Sequence, residues 1–279
     1  MMPVLGQKSA PIVNSHSAAL ARHPETVSIS IKVPLATGTT VRPAPAAANL
    51  ATWAHSPWMD RIQRGQTVVE IGSGTGSTCL ALAERVGHRG RVVGIDPSPR
   101  HVEKARQAAG EQNLANVEFC LCRMDSIPLP DASADWVISN RQINLAANKL
   151  AVFREICRTL KPGGCLAVHD IALKKLLPAE VTELMSEHLE GLAGAMEIST
   201  YDHFLRLAGF SQVTITDSRT ELKLSRLSER RSTHPPQIQG NLYGGPTTEM
   251  ALGSEAGFAA LRQYNLNDYA AVVDVFATR

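Results

Sequence analysis

Between about residue 65 and residue 170 the apolar positions of this chain alternate between two rhythms. "TVVEI" (67–71), "RVVGID" (91–96), "VEFCL" (117–121), "DWVIS" (135–139) and "CLAVHD" (165–170) are short apolar or β-branched runs of strand length. The stretches between them follow a helical period. "STCLALAERVG" (77–87) predicts a helix with Cys79, Leu82, Ala83 and Val86 on one face and Gly87 as its stop. "PSPRHVEKARQAAGEQN" (97–113) predicts a second, with Ser98 placed to cap and Pro99 at the first helical position. "NKLAVFREICRTL" (148–160) sets Leu150, Phe153, Ile156, Cys157 and Leu160 at helical spacing, and "KPGG" (161–164) stops it. Strands alternating with helices in this way predict an α/β fold with a doubly wound, mainly parallel sheet.

Outside that region the pattern is looser. "LPAEVTELMSEHLEGLAGAM" (177–196) reads as helix and "TYDHFLRLAGF" (200–210) as a short helix before the strand "SQVTITDS" (211–218). Residues 219–263 are polar and turn-rich, and the charge run "ELKLSRLSERR" (221–231) reads as a solvated face. The apolar strand "DYAAVVDVFATR" (268–279) is placed to return to the sheet after an excursion over a pocket. Cap elements are therefore expected at about 171–200 and 219–265 of a domain spanning 61–279. "VSISIKV" (27–33) alternates with period two and predicts a strand within an N-terminal arm, residues 1–60. The arm is expected to act as a lid or as a dimerisation element between two copies of the chain.

With 279 residues, 44% hydrophobic and 19% charged, the chain has enough apolar surface for a full core. A net charge of +2 gives no electrostatic reason to expect nucleic acid or an anionic membrane as partner. No run reaches the ~20 apolar residues of a membrane helix. Five cysteines without a CxxC pair predict free thiols in a reducing, cytoplasmic setting, and no His or Cys has the spacing of a zinc site, so no metal is expected.

"VVEIGSGTGS" sets Gly72, Gly74 and Gly76 between a strand and a helix. This geometry brings backbone close to a ligand and offers the helix's unpaired N–H groups to an anion. Asp96 ends the next strand, twenty residues after Gly76, where a carboxylate accepts from both ribose hydroxyls. The spacing is G-x-G-x-G, because a dinucleotide G-x-G-x-x-G needs Gly at Ser77. Glu70 suits a ligand carrying an ammonium group and disfavours a pyrophosphate. S-adenosylmethionine has that ammonium, a carboxylate, a ribose and a cationic sulfonium. The alternative is that the glycines serve only strand–helix packing. A short-chain dehydrogenase is excluded, since no Tyr (201, 243, 264 or 269) is followed by Lys four residues on.

"VVEIGSGTG", "VVGIDPSP", "FCLCRMDSIPLPD", "DWVISN" and "LKPGGCLAVHD" resemble, in order, the motifs of class I S-adenosylmethionine-dependent methyltransferases. The resemblance implies a Rossmann-like, seven-stranded sheet. It also implies that Glu70, Gly72, Ser73, Gly74, Thr75 and Gly76 cradle the methionine part. Asp96 with Pro97 would hold the ribose, Met124 and Asp125 would flank the adenine, and Asn140 would lie beside the sulfonium. Within the superfamily, "ISNRQINL", "LKPGG", "EGLAGAM" and "YDHFLRLAGF" are similar to segments of arsenite methyltransferases. That group is expected to hold As(III) through thiolates. Its cysteines match Arg141, Gly191 and about Gln66 here, and only Cys79 keeps a cysteine position. A guanidinium repels and cannot ligate a positively polarised metalloid.

The expected activity is therefore methyl transfer to a small organic molecule with an O, N or C acceptor atom. His169, at the carboxyl edge of its strand, is the candidate base, the alternative being a His bonded locally at a strand end. Asp170 is expected to orient that imidazole or cap the next helix. Arg141 and Gln142 are candidates to bind a polar or anionic handle of the acceptor, the alternative being a surface arginine. A second reading keeps the cofactor and uses its charge for a cyclisation, rearrangement or elimination; a third is a non-catalytic partner protein.

Overall fold

The computed structural model describes residues 58–179, 181–182, 192, 194–226, 247–252 and 263–279, with side chains omitted for 223–226 and 247–252. The predicted strands form as β1 (Thr67–Ile71), β2 (Arg91–Asp96), β3 (Val117–Leu121), β4 (Ala134–Asn140) and β5 (Leu160–Leu173). Helices α1 (Ser77–Val86), α2 (Pro99–Glu111) and α3 (Lys149–Thr159) connect them, and α4 (Ile198–Ala208) precedes β6 (Gln212–Asp217). β7 (Glu221–Arg226) and β8 (Thr247–Leu252) pair with each other, and β9 (Ala270–Thr278) ends the chain.

Seven strands make one sheet in the order β3-β2-β1-β4-β5-β9-β6. The pairs up to β5 are parallel, and β9 runs antiparallel to both β5 and β6. Central strands of such a sheet are covered on both faces, which is why their sequences are nearly continuous apolar runs. One face is sealed by α3 and α4, with Phe153, Ile156, Tyr201 and Leu205 over Val69, Val137, Val168 and Val275. The other is sealed by α1 and α2, with Cys79, Leu82, Val86, Val102 and Ala105 over Val68, Val92, Ile138 and Ala167. Successive side chains on a strand go to opposite faces, so each strand serves both cores.

Several elements differ in extent from the sequence reading. α2 starts at Pro99 behind its Ser98 cap, as the sequence predicts, and ends at Glu111, two residues before the end of the predicted stretch. β5 is longer than 165–170: "KPGG" does end α3, but it also lies in the sheet. Gly163 N–H donates to Arg279 O at 3.1 Å and Arg279 N–H to Gly164 O at 3.0 Å, while the register against β4 shifts between Ala134 and Trp136. Leu150 is only half-buried, and Val152 takes its place in the core. Trp58 and Met59, assigned to the arm, are buried in the domain, Trp58 stacking on Trp136 at 6.1 Å. The rest of the arm, the 27–33 strand, and residues 180, 183–191, 193, 227–246 and 253–262 of the two cap elements fall outside the described residues. Val181 and Leu192, from the first cap, are buried against Ile171 and Val272. The C-terminal strand returns to the sheet as expected, entering between β5 and β6. No helix among the described residues is long and apolar enough to cross a membrane.

Candidate active site

The glycine turn is built on the ends of β1 and β2. Gly72 and Ser73 N–H both donate to Ile95 O, at 2.8 and 2.9 Å, which ties the turn to the neighbouring strand. Gly72 has φ 72°, and a Cβ there would come within 2.1 Å of Gln142 Cγ, so only glycine lets the Gln142 side chain lie across the turn. Gly76, at φ 87°, opens α1 where a Cβ would collide with Phe119. Asp96 locks the far side: Oδ2 accepts from Gly74 N–H at 2.9 Å and Oδ1 from Ser98 N–H at 2.9 Å, with His101 Nδ1 3.2 Å away. Thr75 and Pro97 are exposed at the tips of the two loops. Ser73 Oγ is buried with no hydrogen-bond partner among the described residues.

Glu70 lies beneath the turn and is almost inaccessible. Its Oε2 accepts from Cys79 Sγ at 2.9 Å. Burial pushes this carboxyl up to about 7, against the opposing pull of hydrogen bonds from Cys79 and Thr78. The same burial, with the Glu70 charge beside it, raises the Cys79 thiol, so Cys79 is held as a neutral thiol. At the β3 end of the edge, Met124 is half-buried against the α3/α4 core. Asp125 is clasped by Arg123 at 2.9 and 2.7 Å, and that hydrogen-bonded guanidinium holds its carboxyl below the usual range.

Across the sheet, Asn140, His169, Asp274 and Thr216 occupy one row, paired in register on β4, β5, β9 and β6. Two residues back along these strands, Ile138, Ala167 and Phe276 lie in or against the α1/α2 core, so the row faces the α1/α2 side. Asn140 Oδ1 is buried without a partner among the described residues. His169 Nδ1 lies 2.8 Å from Asp274 Oδ1. Asp274 was missed by the sequence reading, although a single carboxylate within the apolar run "AAVVDVFA" was its signal.

Asp170 does neither job expected of it. As the neighbour of His169 on a strand it points to the opposite face, where Oδ1 accepts from Asn144 Nδ2 and Ile171 N–H, each at 2.8 Å. Burial raises its carboxyl to about 6, with Arg141 among the groups that counter the rise. On this side Tyr201 Oη and Asn144 Oδ1 are buried without partners among the described residues.

Arg141 carries the turn after β4 in the left-handed region, at φ 58°, with its N–H on His169 O at 2.7 Å. Only a few per cent of non-glycine residues adopt such a φ, at a cost of roughly 1–2 kcal/mol. Its half-buried guanidinium makes no hydrogen bond or close ion pair among the described residues. Desolvation lowers its pKa and only the Asp170 charge works against that. Gln142, expected beside Arg141 on the acceptor, has its side chain against Gly72. The structure thus brings the glycine turn, Asp96, Asn140, Gln142 and His169 to one sheet edge, and sets Asp170 on the far face.

Residues 62–209 match the family model described as a methyltransferase domain. The chain is 38% identical over 160 residues to an arsenite methyltransferase of Halobacterium salinarum, a match covering 56% of this chain and 41% of the relative. It is 34% identical over 110 residues to a demethylmenaquinone methyltransferase of Listeria welshimeri, covering 39% of this chain and 47% of the relative. The match thus spans about half the length of these curated relatives. The fold is similar to that of the Chlamydomonas reinhardtii arsenic(III) S-adenosylmethionine methyltransferase, with TM-score 0.57, 23% identity, and 85% of this chain and 74% of that one covered.

Proposed function

The chain belongs to the methyltransferase domain family, whose cofactor is S-adenosylmethionine, and on that premise we propose that it transfers a methyl group to a small organic acceptor through O, N or C. The reading is carried by two buried polar atoms without partners among the described residues, Ser73 Oγ in the glycine turn and Asn140 Oδ1 at the end of β4. Buried polar atoms are normally hydrogen-bonded, so an orphan pair in a glycine-lined cradle fits a polar ligand. When bound, S-adenosylmethionine supplies an electrophilic methyl on a sulfonium and leaves as the neutral thioether. Glu70, Gly72, Ser73, Gly74, Thr75 and Gly76 would hold its methionine part, Asp96 and Pro97 the ribose, Met124 and Asp125 the adenine, and Asn140 the sulfonium end.

The chain's own residues then have to place an acceptor about 3–3.5 Å from the methyl carbon and exclude water. His169, in register beside Asn140, is the base for an acceptor that must lose a proton. The guanidinium of Arg141, lacking a close partner among the described residues, supports a carboxylate, phosphate or carbonyl as the acceptor's handle. Gln142 lies at the boundary between the acceptor and the methionine end. Arsenite is disfavoured, because Arg141 stands at a position where those relatives are expected to use a thiolate. Cys79 is a buried neutral thiol on Glu70. Among the described residues no group of three or more His, Cys, Asp or Glu is placed to hold a metal ion. All five cysteines are free, which supports a reducing, cytoplasmic setting.

The test is a screen of metabolite fractions with the purified protein and S-adenosylmethionine, following S-adenosylhomocysteine release. Release that depends on one fraction supports methyl transfer. A new product without that release points to the cyclisation or elimination reading. Absence of S-adenosylhomocysteine binding in calorimetry overturns the cofactor assignment itself.

A further inference from the structure

We propose that Asp274 is a positioning residue that fixes the His169 imidazole as its Nδ1–H tautomer, so that Nε2 is the ring's proton-accepting atom. The proposal rests on the reading of His169 as base. An ionised carboxylate is an acceptor only, so the ring nitrogen 2.8 Å from Asp274 Oδ1 has to carry the hydrogen. In a neutral imidazole the other nitrogen then holds the lone pair.

The sheet makes this contact hard to lose. β9 is paired with β5 over nine consecutive positions and with β6 over six, so Asp274 cannot slide along either neighbour. Val273 and Val275, on either side of it, are fully buried on the opposite face and hold its side chain toward His169. Thr216 Oγ1 donates to the backbone O of Asp274 at 3.3 Å, which leaves the carboxylate to the imidazole. Asp170, the nearest carboxylate in sequence, lies on the other face and cannot substitute. When the acceptor gives up its proton, the Nε2 lone pair takes it. The acceptor's freed electron pair forms the bond to the methyl carbon, and the carbon–sulfur pair stays on sulfur. The imidazolium so formed is bonded to the Asp274 anion, which favours the charge where it develops.

Two-bond 1H–15N correlation spectra of histidine-labelled protein with S-adenosylhomocysteine, at alkaline pH, read the tautomer without any acceptor. His169→Asn assigns the signal among the nine histidines. The wild type is expected to show protonated Nδ1 and bare Nε2, Asp274→Glu to retain that pattern, and Asp274→Leu to move to the Nε2–H form. A wild-type spectrum with Nε2 protonated overturns the proposal even if no variant folds, and so does an unchanged pattern in a folded Asp274→Leu. With an acceptor from the screen, Asp274→Asn should lower kcat about 10- to 100-fold while its KM and the S-adenosylhomocysteine affinity stay put. If His169→Asn costs no activity the base reading fails, whereas the tautomer pattern stands or falls separately.

Discussion

The glycine turn after β1 and the Asn140–His169–Asp274 row share one sheet edge, yet they are assembled at very different ranges. The turn and its lock come from residues 70–98, with Asp96 only 22 positions from Gly74. The row joins β4 and β5 to a strand that arrives from the end of the chain, its key contact spanning 105 positions. A turn built from one β-α-β unit is nearly complete as soon as that unit folds. A row that waits for β9 depends on the whole topology, and its residues can diverge while the turn stays the same.

The comparison is tested most sharply by variants that should damage one half alone. The largest effect is expected from His169→Asn, which should lower turnover about 10²- to 10⁴-fold with no change in S-adenosylhomocysteine affinity by calorimetry. A parallel loss of affinity would mean that the two halves are not separable. Glu70→Gln probes the cradle through pH. The folded protein holds the Glu70 proton up to about pH 7, against 4.5 for an ordinary carboxyl. Stability from that proton is complete below pH 4.5 and lost as pH rises through 7. In cofactor-free protein the variant should therefore gain about 3 kcal/mol on the wild type between pH 4.5 and 8 in denaturant melts, an order-of-magnitude figure. A constant difference across that range would show that Glu70 does not titrate as its burial implies.

Asp96→Ala should weaken S-adenosylhomocysteine binding about 10- to 100-fold, equivalent to roughly 1.5–3 kcal/mol for hydrogen bonds to a charged group. Affinity within twofold of wild type would remove Asp96 from the ribose. The smallest effect concerns stability at Arg141. Its left-handed backbone is strained, so Arg141→Gly should be neutral or stabilising by up to about 1 kcal/mol despite the added chain entropy. The same change should raise the acceptor KM about 10-fold or more. A clear loss of stability would mean that the side chain serves packing rather than the acceptor.

What could be read from sequence follows the same division. β1, β2 and β3 were legible to the residue, because strand period, β-branching and the glycine turn all act within a few positions. The positions of Glu70 and Asp96 at the ends of β1 and β2 were legible for the same reason, whereas Asn140 was singled out through the family resemblance. The placement of Asp170 away from His169 is also written in the sequence, since neighbours on a strand occupy opposite faces. The partner of His169 was not legible, since nothing local says that β9 inserts between β5 and β6. The seat of Gln142 against Gly72 depends on Arg141 taking a left-handed turn without glycine, a conformation that tertiary context imposes on a residue that does not favour it.

The most direct measurement follows S-adenosylmethionine carrying a deuterated methyl group through a reaction with the metabolite fraction that responds in the screen. The account predicts a product bearing the intact labelled methyl, one S-adenosylhomocysteine formed per product, and loss of both in His169→Asn while S-adenosylhomocysteine still binds. An unlabelled product formed with the cofactor unconsumed, or a labelled one made equally well by His169→Asn, would contradict it.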